Sequence, residues 1–340
     1  AQLNQYFPKL CPPTCGLEIN FRRIKDNPRI KVFTLAKIEK VDGTPGNYDV
    51  TIKLAPRYVN ENCTCCGDCA EASQTEIDSE FDFGMQKVNG AYLPFEMAFP
   101  ARFVISPEII GSDDAQRCKD ACKYDAVDFE MEAKTLNFNV GSIVWATGWE
   151  PYDATKIDNL GFGQYPNIIT NMMMERLASP NGPTKGKIVR PSDDKAPESI
   201  AFVQCAGSRD ENHLPYCSYI CCMASLKQAT YVRERYPDAK IYVFYIDLRT
   251  PGLRYERFYE QIKKDENIFL IKGKVAEVSE DPTNKNISVV AENAVTGEKI
   301  HQTVEMVVLA TGMQPTTATT KLPADLTYND DGFIINDFET

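Results

Sequence analysis

The chain has 340 residues, of which 43% are hydrophobic and 25% charged, with a formal net charge of -11 at pH 7. That length allows two or three domains with a sizeable core, and the acidic balance argues against non-specific nucleic-acid binding or docking on an anionic membrane. No apolar run nears the ~20 residues a membrane-spanning helix needs, so any membrane role runs through a partner.

The opening AQLNQYFPKLCPPTCG has no initiator Met and no start signal, and the closing GFIINDFET has neither a final helix nor a polar tail. The chain reads as an internal part of a longer one. Cys11 and Cys15 flank Pro12-Pro13, which fixes a turn. A functional thiol pair and two buried residues are both open readings there.

Two stretches then read alike. One begins NPRIKVFTLAKIEKVDGTPGNYDVTIKLA, is interrupted, and resumes as KTLNFNVGSIVWATGWEP. The other is ENIFLIKGKVAEVSEDPTNKNISVVAENAVTGEKIHQTVEMVVLATGMQP. Period-2 alternation broken by turn residues predicts a small β-meander in each, and each ends in a β-rich run closing on Ala-Thr-Gly. The ends are Ala146, Thr147, Gly148 and Ala310, Thr311, Gly312. Duplication of such a unit predicts two related domains rather than a solenoid.

The interruption, residues 60–134, holds ENCTCCGDCAEAS and GSDDAQRCKDACKYDAVDFE. Bacterial ferredoxins use C-x2-C-x2-C-x3-C twice, and the fourth cysteine of each run ligates the other cluster. On that template Cys63, Cys66 and Cys69 fit the first run, with Ser73 fourth. The second run anchors on Cys122, with Cys118 before it and Ser112 and Ala115 in the first two places. Cross-ligation leaves one complete set, Cys63, Cys66, Cys69 and Cys122. The other set, Ser112, Ala115, Cys118 and Ser73, keeps a single thiol. The insert therefore reads as a two-cluster ferredoxin that has kept one cluster, with Cys65 and Cys118 outside the ligand set.

Between the two repeats ESIAFVQC reads as a buried strand, SYICCMASLKQATYVRERY as a helix and AKIYVFYIDL as the next strand. A βαβ unit of this kind is half of a mononucleotide-binding fold, whose first turn ordinarily carries G-x-G-x-x-G. Here that turn carries Cys205, Cys217, Cys221 and Cys222, spaced C-x11-C-x3-C-C. Four thiols suit zinc or an iron–sulfur cluster, and the spacing matches no common zinc knuckle. His213 reads as a loop residue, Asp247 as a strand end and Glu256 as part of a solvated helix face. No general acid–base or nucleophilic machinery is visible.

The paired meanders ending in Ala-Thr-Gly resemble the two-dinucleotide-binding-domain flavoproteins of the thioredoxin-reductase type. The fold expectation is α/β, a thioredoxin-reductase-like flavoprotein with a ferredoxin-like α+β insert. Its divisions are an FAD-binding part over 1–59 and 135–150, the insert over 60–134, a second nucleotide-binding-like domain over 151–312, and a return to the first over 313–340. With RYVNENCTCCGDC, FVQCAGSRDEN, PYCSYICCM and YVFYIDLRT, nearly the whole chain resembles the heterodisulfide reductase A-subunit family. With CPPTCGLEINFRRIKDNP and the missing cysteines, it is similar to the branch of that family found in quinone-interacting membrane-bound oxidoreductases.

The resemblance implies FAD and two [4Fe–4S] clusters, with Gln2, Leu3 and Asn4 near the isoalloxazine and Ala146, Thr147 and Gly148 near the adenosine. It places Ala310, Thr311 and Gly312 at the equivalent end of the second repeat. It implies a cytoplasmic component of an oxidoreductase complex, held at the inner face of a membrane. Its partners would be adenylylsulfate reductase, a related B subunit and a haem-bearing membrane C subunit. An NAD(P)H-dependent disulfide reductase would need the absent phosphate loop, and a non-catalytic scaffold would hold no iron.

Overall fold

The computed structural model describes residues 2–336. Two antiparallel meanders of three strands stand out, as the duplication predicts. The first joins β1 (Ala36–Thr44), β2 (Asn47–Leu54) and β3 (Lys134–Val140), the last strand arriving after the insert. The second, later in the chain, joins β8 (Val275–Glu280), β9 (Ile287–Glu292) and β10 (Lys299–Val304). Register breaks between Ile38 and Lys40 in one and between Val275 and Glu277 in the other. The same bulge thus falls within KIEKV and KVAEV, a local twist kept in both copies.

The second domain is built on a five-stranded parallel sheet. Its strands are β4 (Ile168–Thr170), β5 (Ser199–Ala206), β6 (Lys240–Tyr245), β7 (Ile268–Lys272) and β11 (Met306–Thr311), in the order β7-β6-β5-β11-β4. Central parallel strands are covered on both faces and need unbroken apolar runs, and every residue of β11 is buried. Ile200, Phe202, Met306 and Val308 pack with the helices Asn171–Ala178, Cys221–Arg235 and Leu253–Ile262. Ala201, Val203, Val307 and Leu309 pack with the second meander. Alternation along each strand therefore fills two separate cores.

The first repeat is dressed differently. Its helix Thr14–Asp26 and strands β1–β3 bury a single side chain between them, Val50. The run Gly141–Gly148, expected to be a strand, is irregular, with Val144 89% exposed. A strand of this composition needs neighbours for its N–H and C=O groups, and no parallel sheet beside it lies among the described residues. Just beyond, Trp149–Pro151 pairs antiparallel with Met313–Pro315, so the chain leaving each Ala-Thr-Gly runs into one short ribbon.

The insert has its own small core of Val59, Cys69, Ile105, Ile109, Ala115, Cys118 and Val127. It docks on the helix Asn171–Ala178 through a buried ion pair, Arg176 Nε to Asp82 Oδ1 at 2.7 Å. The Arg176 guanidinium also lies 4.6 Å from the centroid of the Phe81 ring. The preceding residue, Glu175, is buried too and collects Lys227 Nζ at 3.0 Å, Gln228 Nε2 at 2.8 Å and the Asn4 N–H at 2.9 Å. One short helix thus ties the N-terminal segment, the insert and the second domain together.

Candidate metal centres

In the insert, Cys63 and Cys66 lie on the loop before the short helix Asp68–Ala72, Cys69 lies in that helix, and Cys122 ends the helix Asp113–Ala121. The loop is bent by left-handed backbone at Cys65 (φ 59°) and Gly67 (φ 95°). Only a glycine adopts such a conformation without steric cost, which explains Gly67 within CCGDC. Cys63, Cys66, Cys69 and Cys122 line one cavity, walled by Val59, Phe103, Tyr124 and Val127. The Ala126 N–H donates to Cys122 Sγ at 3.3 Å, and a Lys123–Asp68 ion pair at 2.9 Å ties the two cysteine segments across the rim. Burial, then the neighbouring Cys118, Cys63 and Cys122, pushes the Cys69 thiol up to about 12.

The positions of the missing quartet do something else. Ser73 Oγ donates to Asp114 Oδ2 at 2.8 Å, and the N–H groups of Gln74 and Thr75 donate to the same carboxylate at 2.8 and 3.1 Å. Arg117 Nη2 reaches Asp114 Oδ1 at 2.7 Å. Ser112 caps its helix by accepting the Ala115 N–H at 3.3 Å, and Ala115 and Cys118 sit in the insert's core. Burial pushes the Asp114 carboxyl up, but the hydrogen bonds from Gln74, Ser73 and Thr75 outweigh it and hold it well below the usual carboxylate range. A polar network centred on Asp114 takes these positions, with Arg117 Nε buried and without a partner, and one thiol remains there.

In the second domain, β5 ends at Cys205 and Ala206, and the ladder to β11 slips between Val203 and Ala206. Cys205, Arg209 and Tyr219 are all left-handed, with φ of 57°, 56° and 61°. Such residues cost roughly 1–3 kcal/mol each and persist where the surroundings over-determine them. Cys205, Cys217, Cys221 and Cys222 line a second cavity with Arg209, Asp247 and Arg249. The Tyr219 N–H donates to Cys217 Sγ at 3.4 Å. As thiols, Cys221 donates to the Thr311 carbonyl at 3.5 Å and Cys222 to the Asp247 carbonyl at 3.6 Å. Burial first, then neighbouring thiols, pushes Cys205 up to about 11 and Cys221 up to about 12. Free, these thiols are neutral at pH 7, so a metal must displace their protons on binding.

The two quartets also differ from zinc sites. A single tetrahedral ion holds its thiolates at about 2.3 Å, which brings the sulfurs close together. Among the described residues no three His, Cys, Asp or Glu side chains converge on a single-ion arrangement. Four thiols spread around one cavity suit a multi-iron group, in which each thiolate takes a different iron. Two guanidinium nitrogens at the second cavity, Arg209 Nη1 and Arg249 Nε, are buried without a hydrogen-bond partner, as suits a site for an anionic group. The donor sets fit iron–sulfur clusters.

The residues expected near a flavin divide. Ala146, Thr147 and Gly148 are exposed small-residue backbone, with the Thr147 carbonyl accepting from Thr316 Oγ1 at 2.9 Å. Leu3 is half-buried, and Gln2 and Asn4 are engaged with Arg176 and Glu175. Ala310, Thr311 and Gly312 face no open cavity. A Cβ on Gly312 would lie 2.3 Å from Ser208 Oγ and 2.7 Å from Leu214 Cδ1. Cys11 and Cys15 line neither cysteine cavity, and His213 Nδ1 meets Tyr152 OH at 2.9 Å. Arg209, Asp247 and Arg249 escaped sequence reasoning as parts of this site. Their signal is position, since they follow the carboxyl ends of β5 and β6, where open α/β sheets bind ligands.

A five-stranded parallel sheet whose first turn carries one cysteine quartet, joined to an insert carrying another, defines the class of chain this is. No family model matches the chain. It is 40% identical over 317 residues to an iron–sulfur A subunit of the CoB–CoM heterodisulfide reductase of Methanopyrus kandleri, covering 93% of this chain and 48% of that one. It is 39% identical over 322 residues to the A subunit of the H2/formate:CoB–CoM heterodisulfide,ferredoxin reductase of Methanococcus maripaludis, covering 92% and 48%. Thioredoxin reductase from Lactococcus lactis overlays at a TM-score of 0.38 and 14% identity, covering 73% of this chain and 72% of that one. The chain belongs to the heterodisulfide reductase A-subunit family, and it spans about half the length of the curated relatives it matches.

Proposed function

We propose that the chain is the FAD- and iron–sulfur-binding electron relay of an oxidoreductase complex. One [4Fe–4S] cluster is held by Cys63, Cys66, Cys69 and Cys122, and the other by Cys205, Cys217, Cys221 and Cys222. The observation that carries this reading is that each quartet lines its own cavity. Both cavities are made by chain segments apart in sequence, which chance clustering of buried cysteines does not require. FAD, when bound, exchanges electron pairs, and clusters carry electrons singly. The protein's part is to hold the thiolates in position, to exclude water with Val59, Phe103 and Val127 at the first site, and to set charge at the second with Arg209, Asp247 and Arg249. Gln2, Leu3, Asn4 and Ala146–Gly148 are assigned to the flavin side.

Within the family, we place the chain in the quinone-interacting membrane-bound branch. Its partners there are adenylylsulfate reductase, a related B subunit and a haem-bearing membrane C subunit. The departures at Ser73, Ser112 and Ala115, with Asp114 occupying their space, support this over the heterodisulfide-reducing branch. Among the described residues no helix is long and apolar enough to cross a membrane, and the membrane is reached through the C subunit.

The test is anaerobic iron, sulfide and flavin analysis of the native full-length protein. About eight iron atoms are expected from these two sites, with one FAD, and Cys122→Ser and Cys222→Ser should each remove about four. Iron unchanged by both substitutions would refute the ligand assignment. Co-purification with a membrane haem protein supports the quinone branch, whereas reduction of a disulfide substrate in place of adenylylsulfate moves the chain to the other.

A further inference from the structure

The two thiol cavities differ in charge. The lining of the first holds only neutral side chains, among them Val59, Phe103, Tyr124 and Val127, and the charges around it are the Lys123–Asp68 pair at the rim and Arg57 near Cys63. The second has two cations, Arg209 and Arg249, and one anion, Asp247. Asp247 holds Arg209 through Nη2 at 3.0 Å. That clamp leaves Arg209 Nη1 buried and unpartnered, and Arg249 Nε is in the same state. Arg249 also stacks its guanidinium 5.8 Å from the centre of the Tyr219 ring.

A buried donor without an acceptor costs about 1–3 kcal/mol, and more when charged. The neutral hydroxyls of Ser208 and Ser218 face each other at 3.2 Å. The four cysteine sulfurs line the same cavity as these guanidinium groups and are acceptors once the cluster is bound. The backbone is left-handed at Arg209, as at Cys205 and Tyr219.

We infer that Arg209 and Arg249 set the reduction potential of the second site above that of the first by donating to its sulfurs. This rests on reading the quartets as cluster ligands. Each electron taken up adds one negative charge to the site, and a fixed cation stabilises that form most. Hydrogen bonds to sulfur and local charge are the levers by which proteins tune such groups. Electrons entering at the insert then pass to the second domain downhill.

The experiment is a redox titration of the anaerobically purified full-length protein, each cluster followed by its electron paramagnetic resonance signal. Arg209→Gln is expected to shift the second site's reduction equilibrium at least tenfold toward the oxidised form, a fall of about 59 mV for a one-electron couple. Arg209→Lys, which keeps the charge, should recover most of that shift, and the first site's midpoint should not move. Arg249→Gln gives an independent reading if Arg209→Gln does not fold. Retained iron with midpoints moved less than threefold in both Gln variants overturns the inference, as does a second site lying below the first in the unsubstituted protein. If Cys222→Ser leaves the iron content intact, the ligand reading fails instead, and iron content tells the two failures apart.

Discussion

The Asp82–Arg176 pair is where the insert's position can be tested most directly. The two groups meet at 2.7 Å with side chains 4% and 1% exposed. At an effective dielectric near 20 two unit charges at that separation attract by about 6 kcal/mol, most of it offset by taking both out of water. Asp82→Asn keeps the shape and removes the charge, leaving a buried guanidinium with the Asn181 carbonyl and side-chain oxygen at 3.0 and 3.2 Å and the Phe81 ring as company. One-sided removal of such a pair costs about 3–5 kcal/mol. The assay is denaturant unfolding read beside limited proteolysis at the segments flanking the insert. Asp82→Asn should lower the midpoint and speed cleavage around residues 60 and 134, while the double substitution Asp82→Leu with Arg176→Met should recover at least half the loss. A cost below about 1 kcal/mol for Asp82→Asn, with unchanged cleavage, would refute the view that this pair holds the insert on the second domain.

Three further outcomes follow from other contacts. Asp114→Ala strips the acceptor from Ser73, Gln74 and Thr75 and should cost the insert about 3–5 kcal/mol. Because the folded carboxyl is held below its usual range, its contribution is fully present above the unfolded value of about 3.9. It is lost as pH falls through the folded value, so an acid melt should be steeper for the unsubstituted protein than for Asp114→Asn. Gly312→Ala drives a methyl into Ser208 and Leu214 and should destabilise the second domain by about 1–3 kcal/mol. It should also perturb the second site's spectrum, since Ser208 and the Met313 N–H both bond Ser218 beside Cys217. An unaltered melt and spectrum would show that the loop gives way freely.

Much of the molecule was legible in its sequence because the signals are periodic or spaced. Alternation in NISVVAE predicted a strand covered on one face and ESIAFVQC read as a buried one, and the structure has both. The ferredoxin spacing singled out Ser73, Ser112 and Ala115, since a ligand set fails as soon as one thiol is absent. Sequence could not say what fills the space those cysteines left. Asp114 reads as one acidic residue in a helix start, and only its burial against Ser73 and two N–H groups makes it the centre of a network.

The same limit held elsewhere. GSIVWATG reads as a strand by composition, but a strand exists only where a neighbouring strand receives its hydrogen bonds, and among the described residues this run meets only single donors from Gly46 and Thr316. Gly312 reads as the end of the second Ala-Thr-Gly, and only the fold brings Ser208 and Leu214 against it. Arg209 falls in FVQCAGSRDEN and Asp247 and Arg249 in YVFYIDLRT, stretches far apart along the chain that no local signal joins into one site. Period and spacing are local properties of a chain, and they determined its strands, its duplication and its thiol sets. Which charges meet a cavity depends on distances across the fold, and those only the packed tertiary structure decided.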